Sequence, residues 1–164
     1  LILRAPQASD FEVLAPFVMS ERATFVGGGS EKDIGQAWRV LAILSGHWHL
    51  RGYGVFVAVP KETGSPIGSL GPWHPEPCPE KELSWTIWDA DAEGKAYAFE
   101  AMTEIRRHCY GDLGWTTAVS YIDAKNTRSI ALALKLGCTI DADANGPHPE
   151  DIVYRHPGPS EVLA

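Results

Sequence analysis

The second half of the sequence places two predicted strand-and-helix pairs in succession, and this order constrains the fold more than any other feature. Residues 82–88, ELSWTIW, and 115–122, WTTAVSYI, are rich in β-branched and aromatic residues and predict strands. Helices are predicted over 94–110 and over 126–137, NTRSIALALKLG. Because a strand–helix–strand connection favours parallel neighbouring strands, we expect an α/β fold that contains a parallel pair.

The first half predicts two helices after an opening strand, LILR. Ser9 and Asp10 are candidate caps for the first helix. The second helix is predicted after Ser30, with Asp33 at the capping-box position and an end near Gly52. Its stripe at helical spacing consists of Ile34, Trp38, Leu41, Ser45 and Trp48.

A hairpin is predicted between these helices and the second half. Residues 53–59, YGVFVAV, predict a strand, KETGS supplies a turn, and PIGSLGPW begins the returning strand. The Pro-rich segment 71–82 is a loop by composition. CTIDAD and IVYRH predict the last two strands. No repeat or linker interrupts the 164 residues, so we expect one domain over 1–164.

Composition argues against several classes of function. The net charge is −7, so a broad basic face for nucleic acid is not expected. No apolar run reaches the roughly 18 residues that cross a membrane. The cysteines show no CxxC spacing and predict reduced thiols in a cytoplasm, and His47 and His49 make a poor zinc signature. The chain begins at Leu1 rather than Met, so we expect residues before it.

The segment 93–101, EGKAYAFEA, places a glycine where a predicted strand gives way to a helix. The first turn of a helix exposes unpaired backbone N–H groups and the positive end of the helix dipole, which together bind anions such as phosphate. Gly94 would let such a group approach the backbone closely. Plain turn chemistry is the alternative interpretation. Neither the P-loop pattern nor the glycine triplet of dinucleotide-binding folds is present.

Together with SYIDAKNTRSIALALKLGCTID, this segment resembles the acyl-CoA-dependent N-acetyltransferases of the GNAT superfamily. The closer likeness is to the branch that acetylates ribosomal-protein N-termini, and LILRAP and GSPIGSLG match that branch's opening strand and central hairpin. Three residues depart from the pattern of that branch. Ala96 stands where the pattern has Gly, Asp91 where it has Gln or Arg, and Cys138 where it has Phe. The resemblance implies a mixed, mostly antiparallel sheet of six to seven strands with helices on both faces, in which the fourth and fifth strands splay apart.

The resemblance also implies acetyl-CoA as the cofactor. Its pyrophosphate would lie on the backbone N–H groups of the glycine-led turn, which are those of Glu93, Gly94, Lys95, Ala96, Tyr97 and Ala98. Its pantetheine arm would pair with the free strand edge formed by Thr86, Ile87 and Trp88. Asn126, and Ser129 beside it, would contact the cofactor arm, although Asn126 could merely cap its helix. Because members of the family often pair, a homodimer is one expectation.

The implied chemistry needs a base for the amine and hydrogen-bond donors for the oxyanion. Glu82 is the candidate base, with a solvated strand-end carboxylate as the alternative interpretation, and His74 is a second candidate. We expect the oxyanion donors among backbone N–H groups exposed at a bulge around Trp88.

A proton source for the leaving thiolate is also needed, and the Tyr that many members use is Ala133 here. Ser129 is therefore the candidate acid, with Tyr121 as a second one unless it only packs on its strand. The acceptor would border GHWHLRGYG, where a core or hinge role is the alternative. Candidate acceptor contacts are Trp48, Arg51, Tyr53 and His74.

These expectations combine into an N-acetyltransferase that moves an acetyl group from acetyl-CoA to a primary amine. The acceptor would be a protein N-terminus or a small molecule. Two other classes stay open from the sequence. One is a non-catalytic acyl-CoA-binding sensor or scaffold with the same fold, which the missing Tyr and Asp91 motivate. The other is a nucleotide-binding module unrelated to acyl transfer.

Overall fold

The computed structural model describes all residues from Leu1 to Ala164 and contains one seven-stranded sheet. The strands are β1 (Ile2–Arg4), β2 (Phe56–Val59), β3 (Gly68–Trp73), β4 (Glu82–Ile87), β5 (Val119–Asp123), β6 (Thr139–Ile140) and β7 (Asp151–Arg155). The α-helices are α1 (Phe11–Val18), α2 (Ile34–Arg51), α3 (Tyr97–Gly111), α4 (Thr127–Lys135) and α5 (Pro159–Val162). None of them combines the length and the apolar character that a membrane crossing needs.

The sheet has the order β1-β2-β3-β4-β5-β7-β6 and is mostly antiparallel. Antiparallel pairing joins β1 with β2, β2 with β3, β5 with β7, and β6 with β7. β4 and β5 run parallel and are in register at Glu82 and Val119, the first residue of each strand. The predicted mixed α/β fold, with a hairpin and one parallel pair, is therefore confirmed.

Two compact units divide the chain. The first comprises Leu1–Leu70 and Trp85–Tyr97, and the second comprises Gly71–Ser84 and Ala98–Ala164. A single domain over 1–164 stays a prediction. In the first unit, a buried apolar cluster holds α1, α2, β2 and the end of β4 together, and its members are Leu14, Ala15, Phe17, Val18, Ala23, Ala37, Leu41, Val57, Val59 and Trp88.

The N-cap of helix α2 lies three residues after the predicted cap, Ser30. Asp33 rather than Ser30 is the N-cap, because its carboxylate accepts the Gln36 N–H at 2.7 Å while the Gln36 side chain accepts the Asp33 N–H at 2.9 Å. The stripe at helical spacing is not the buried face, since Ile34 and Trp38 are more than half exposed. The helix ends as predicted, at Gly52 with φ +75°.

Asp10 does not cap α1 as expected. Its buried carboxylate instead receives two hydrogen bonds from Arg4, at 2.6 and 2.8 Å, and one from the Gln7 N–H at 2.7 Å. These hydrogen bonds stabilise the carboxylate charge, which would otherwise make the burial of Asp10 unfavourable. They also tie β1 to the start of the first helical segment.

Boundaries moved at three predicted strands. β2 starts at Phe56 rather than at residue 53, and β5 starts at Val119 rather than at 115. β3 continues to Trp73, so the start of the Pro-rich segment 71–82 is strand rather than loop.

In the second unit, one face of α3 is buried at Met102, Ile105 and Cys109. The Asn126 side chain caps α4 by accepting the Ser129 N–H at 3.2 Å, and Gly137 follows the helix with φ +81°. The three cysteines are free thiols. Helix α5 was not predicted.

Candidate active site

Strand β4 ends in a β-bulge that is built inside the first unit. The N–H groups of Trp88 and Asp89 both donate to the Ile67 carbonyl, at 2.8 and 3.2 Å. Two successive donors on one acceptor indicate an extra residue in the strand, which confirms the expected bulge. Because both N–H groups are used, the expectation that they are free to serve as oxyanion donors is wrong.

Arg22 hydrogen-bonds to the backbone of this bulge, and no pattern in the sequence indicated this role. Its guanidinium donates to the carbonyls of Trp88 at 2.6 Å and Ile87 at 3.2 Å, and it forms an ion pair with Glu93 at 2.5 Å. Both backbone polar groups of Trp88 therefore have partners within the protein. Its side chain is 3% exposed. Trp88 thus serves the bulge and the core, which leaves Thr86 and Ile87 as the candidates for pairing with a cofactor arm.

The turn that follows the bulge has two residues with left-handed backbone. Gly94 has φ +74° and Ala96 has φ +63°, and Ala96 is the only residue other than glycine with positive φ. A Cβ added at Gly94 would meet no atom within 4 Å, so its backbone conformation explains the glycine and the space beside it stays open. The turn-chemistry interpretation is therefore correct, and it is compatible with room for a ligand.

Helix α3 starts directly after this turn without a capping side chain from the preceding residue. Asp33 and Asn126 cap α2 and α4, whereas the residue before α3 is Ala96, which has no side-chain oxygen. The first-turn N–H groups of α3 therefore lack the acceptor that a capping residue supplies. With the helix dipole and the exposed Lys95 beside them, they suit an anion, and a diphosphate fits this donor set.

Glu82 lies in the second unit at the start of β4. Burial raises the pKa of its carboxyl to about 8, the negative charge of Asp151 adds to the rise, and a hydrogen bond with Ser84 opposes it. This burial favours the base interpretation over a solvated strand-end carboxylate, and the role of Glu82 as a base stays a prediction. The carboxyl group titrates in the range where a base for an amine is useful.

Tyr121 is poorly suited to protonate a thiolate. Its hydroxyl accepts the Glu80 N–H at 3.0 Å, and burial raises its pKa to about 12. Because a thiol has an ordinary pKa near 8.5, a phenol this weak would not readily give up its proton to a thiolate. Ser129 is half-buried in the first turn of α4, and its N–H caps onto Asn126. Its role as an acid stays a prediction.

A buried Ser–His pair also lies in the second unit. The Ser120 hydroxyl donates to the Leu83 carbonyl at 2.6 Å, so it accepts from His156 Nε2 at 3.0 Å. Burial lowers the pKa of His156 to about 3, with the Arg106 charge adding to the effect. Since the serine proton is held by a backbone carbonyl and both side chains are buried, the pair stabilises the fold rather than forming a nucleophile.

The candidate acceptor contacts are distributed over both units. In the first unit, Trp48 Nε1 donates to the Val55 carbonyl at 2.7 Å, and its ring packs edge-on against Phe56. The core interpretation accounts for Trp48. Tyr53 is half-buried and stacks edge-on with His47, Arg51 is exposed at the end of α2, and His74 is half-buried in the second unit. Their contact with an acceptor stays a prediction.

Comparison with known proteins agrees with this arrangement. The family model described as an acetyltransferase (GNAT) domain matches residues 1–139. A crystal structure of an acetyltransferase from Agrobacterium tumefaciens str. C58 is 37% identical, with a TM-score of 0.86 over 94% of this chain and 89% of that one. No curated protein sequence matches at a significant level.

Two more distant structures share the fold. Spermidine N-acetyltransferase from Vibrio cholerae, in complex with CoA and spermine, is 13% identical with a TM-score of 0.73, covering 99% of this chain and 98% of that one. A Vibrio cholerae protein provisionally named a ribosomal-protein-serine acetyltransferase is 20% identical with a TM-score of 0.69, covering 94% and 92%. At these identities the likeness concerns the fold alone.

Proposed function

Because the chain belongs to the GNAT acetyltransferase family, we propose that it transfers an acetyl group from acetyl-CoA to a primary amine by direct attack. The observation that carries the proposal is the sequence of three features in the first unit: the bulge at the end of β4, the left-handed turn at Gly94 and Ala96, and a helix start preceded by Ala96, which has no side-chain oxygen for a cap. Together they suit a diphosphate followed by an extended arm.

The turn and the first residues of α3 would hold the cofactor by its diphosphate, through the backbone N–H groups of Glu93, Gly94, Lys95, Ala96, Tyr97 and Ala98. Thr86 and Ile87 would pair with the arm. When bound, acetyl-CoA supplies an activated acyl thioester. Asn126 uses only its side-chain oxygen as a cap, which leaves its amide NH₂ group to donate to a ligand.

Glu82 is the proposed base. An amine attacks only when it is neutral, and a carboxyl group whose pKa is about 8 can accept its proton in the ionised fraction, which grows as pH rises toward 8 and above. Ser84 hydrogen-bonds to this carboxyl group and orients it. Ser129 is the proposed proton donor to the leaving sulfur.

A sensor or scaffold that binds acyl-CoA without turnover is the second candidate function. The observation that favours it is Ala133, which is fully buried where many members of the superfamily carry a Tyr acid. Nothing at this position can donate a proton. The two candidates predict the same cofactor binding and differ only in turnover.

The acceptor is proposed by class alone. The fold neighbours include a spermidine N-acetyltransferase, whose name gives a polyamine, and a protein provisionally named a ribosomal-protein-serine acetyltransferase, whose name gives a protein residue. We propose a primary amine, either of a small cationic molecule or of a protein N-terminus. The ribosomal-protein branch is the proposed place of this chain within the family.

An acceptor screen followed by release of free thiol tests the proposal. Acetyl-CoA is incubated with polyamines, amino sugars, aminoglycosides and N-terminal peptides, and CoA release is measured with a thiol reagent. The enzyme interpretation expects release with at least one acceptor and a large loss in Glu82→Gln. Tight binding of acetyl-CoA with no release across the panel would support the sensor instead. If the protein does not bind acetyl-CoA, both functions are excluded.

A further inference from the structure

Arg22 makes four side-chain hydrogen bonds around the proposed cofactor site in the first unit. Its NH1 donates to the Trp88 carbonyl at 2.6 Å and its NH2 to the Ile87 carbonyl at 3.2 Å. Its Nε and NH2 also donate to Glu93 Oε1, at 3.2 and 2.5 Å. The guanidinium lies 5.3 Å from the centre of the buried Phe17 ring. One side chain therefore joins the end of β4 to the first residue of the left-handed turn.

We propose that Arg22 is a positioning residue for the acetyl-CoA site, a role that rests on the function proposed above. It would fix the turn at Glu93–Ala96 relative to the bulge, so that the N–H groups for the diphosphate and the strand edge for the arm keep one spacing. Arg22 itself need not touch the cofactor. Its contribution is the geometry of backbone groups that do.

The bulge explains why the site needs such a side chain. An extra residue interrupts the ladder and leaves backbone carbonyls without the partner that a regular strand provides. Two successive carbonyls, of Ile87 and Trp88, are satisfied by the same guanidinium. Charge-assisted bonds of this kind are about twice as strong as neutral ones. Without Arg22 these carbonyls would need other partners, and the bulge would lose its fixed shape.

The charge of Glu93 gives Arg22 a second effect. Glu93 stands directly before Gly94, at the edge of the proposed diphosphate site, where an unpaired carboxylate would repel the ligand. The guanidinium neutralises this carboxylate in a pair whose side chains are 29% and 32% exposed. Lysine could supply the charge but not the planar fork that reaches two carbonyls and a carboxylate at once.

The test measures binding of acetyl-CoA and of acetylpantetheine, which has the arm and thioester but no diphosphate. Calorimetry serves for acetyl-CoA and ligand-observed NMR for the weaker acetylpantetheine. The variants are Arg22→Ala, Arg22→Lys, Glu93→Gln and the double variant Arg22→Ala with Glu93→Gln. Circular dichroism and thermal unfolding establish the folded fraction of each.

We expect Arg22→Ala to weaken acetyl-CoA by at least about tenfold and acetylpantetheine much less, because the turn is displaced and Glu93 loses the positive charge of Arg22. Arg22→Lys should recover only part of the loss, Glu93→Gln should change binding by less than about threefold, and the double variant should bind better than Arg22→Ala. Should Arg22→Ala not fold, the other two single variants decide. Arg22→Lys should then lose more acetyl-CoA affinity than Glu93→Gln, and it should lose more affinity for acetyl-CoA than for acetylpantetheine.

Two results would overturn the inference while leaving the proposed function standing. One is unchanged acetyl-CoA binding in folded Arg22→Ala or Arg22→Lys. The other is an equal loss for both ligands, which would make Arg22 a support of the fold alone. Absence of acetyl-CoA binding by the wild-type protein would instead overturn the proposed function and this inference with it.

Discussion

Replacing Glu82 with Gln should change the pH dependence of stability in a direction that burial dictates. The pKa of this carboxyl rises from an ordinary value of 4.5 to about 8 in the folded protein, chiefly through burial. Between these values the folded state binds the proton and the unfolded chain does not. The free energy of unfolding therefore falls as pH rises from 4.5 to 8, because the unfolded chain ionises this carboxyl in water while the folded protein keeps it protonated in a poorly solvated position.

The magnitude follows from linkage. Each pH unit inside this window costs at most about 1.4 kcal/mol of stability, so between pH 5.5 and 8 the wild type should lose up to about 3 kcal/mol relative to Glu82→Gln. Water that reaches the half-buried carboxyl reduces this value. The variant also loses the hydrogen bond between Ser84 and the ionised carboxylate. This loss changes the level of the unfolding free energy but is not the cause of its fall with pH.

The assay is urea unfolding of both proteins at about pH 5.5, 6.5, 7.2 and 8, which samples the range between the two pKa values in steps of roughly one pH unit. The difference in unfolding free energy should grow steadily in favour of the variant. Asp141→Asn is the control without a slope, because hydrogen bonding from Arg155 lowers the pKa of Asp141 below its ordinary value of 3.8, so this carboxyl stays ionised in both states throughout this pH range. Parallel pH profiles for wild type and Glu82→Gln would refute the reasoning and remove the physical basis for Glu82 as the base.

Three further predictions follow from backbone and side-chain geometry. Both Gly94 and Ala96 have positive φ, so Gly94→Ala should lower stability by about 1 kcal/mol, whereas Ala96→Gly should be neutral or stabilising. Thermal unfolding measures both effects, and destabilisation by both changes would contradict this prediction. Loss of the α4 cap in Asn126→Ala should cost about 1 kcal/mol, and acetyl-CoA binding should weaken as well if its amide NH₂ contacts the cofactor; urea unfolding and calorimetry measure the two effects separately. His156 should remain neutral at pH 5 in an NMR titration, because its pKa is lowered to about 3. Its contribution to stability should be lost only as pH falls from 6.5 toward 3. An imidazolium signal from the folded protein at pH 5 would contradict this prediction.

Local patterns in the sequence were sufficient for most of the architecture. The strands around Val57, Leu83 and Val119 contain short runs of β-branched and aromatic residues, which are typical of β-strands. Asn126 and Gly137 punctuate α4 because an N-cap needs a side-chain oxygen and a left-handed residue after a helix favours glycine. These signals depend only on neighbours in the chain.

Helix α2 shows where such patterns fail. Trp38 is 52% exposed and contacts the Phe11 ring edge-on at 5.1 Å, while Ala37 is fully buried one residue away. Hydropathy favours the larger residue, but the surface that α2 packs against decides which face is covered. The buried His47, whose ring nitrogen bonds to the Tyr53 carbonyl at 2.8 Å, likewise had no signal in hydropathy.

The candidate site was predictable only in part for a related reason. The turn at Gly94 is a local feature, and its sequence matched the family. Arg22 meets the Trp88 carbonyl across 66 residues, so no local pattern could indicate it. The pKa of Glu82 likewise depends on burial and on Asp151, and the use of the Trp88 N–H depends on Ile67, the residue before β3.

The account depends most on the claim that the turn before α3 binds the diphosphate of acetyl-CoA. The most direct measurement is a titration of the ¹⁵N-labelled protein with acetyl-CoA, followed through its backbone amide signals by NMR. We expect the largest shifts at the amides of residues 93–98, and much smaller shifts there when acetylpantetheine replaces acetyl-CoA. Saturating binding of acetyl-CoA that leaves those six amides unmoved would contradict the claim.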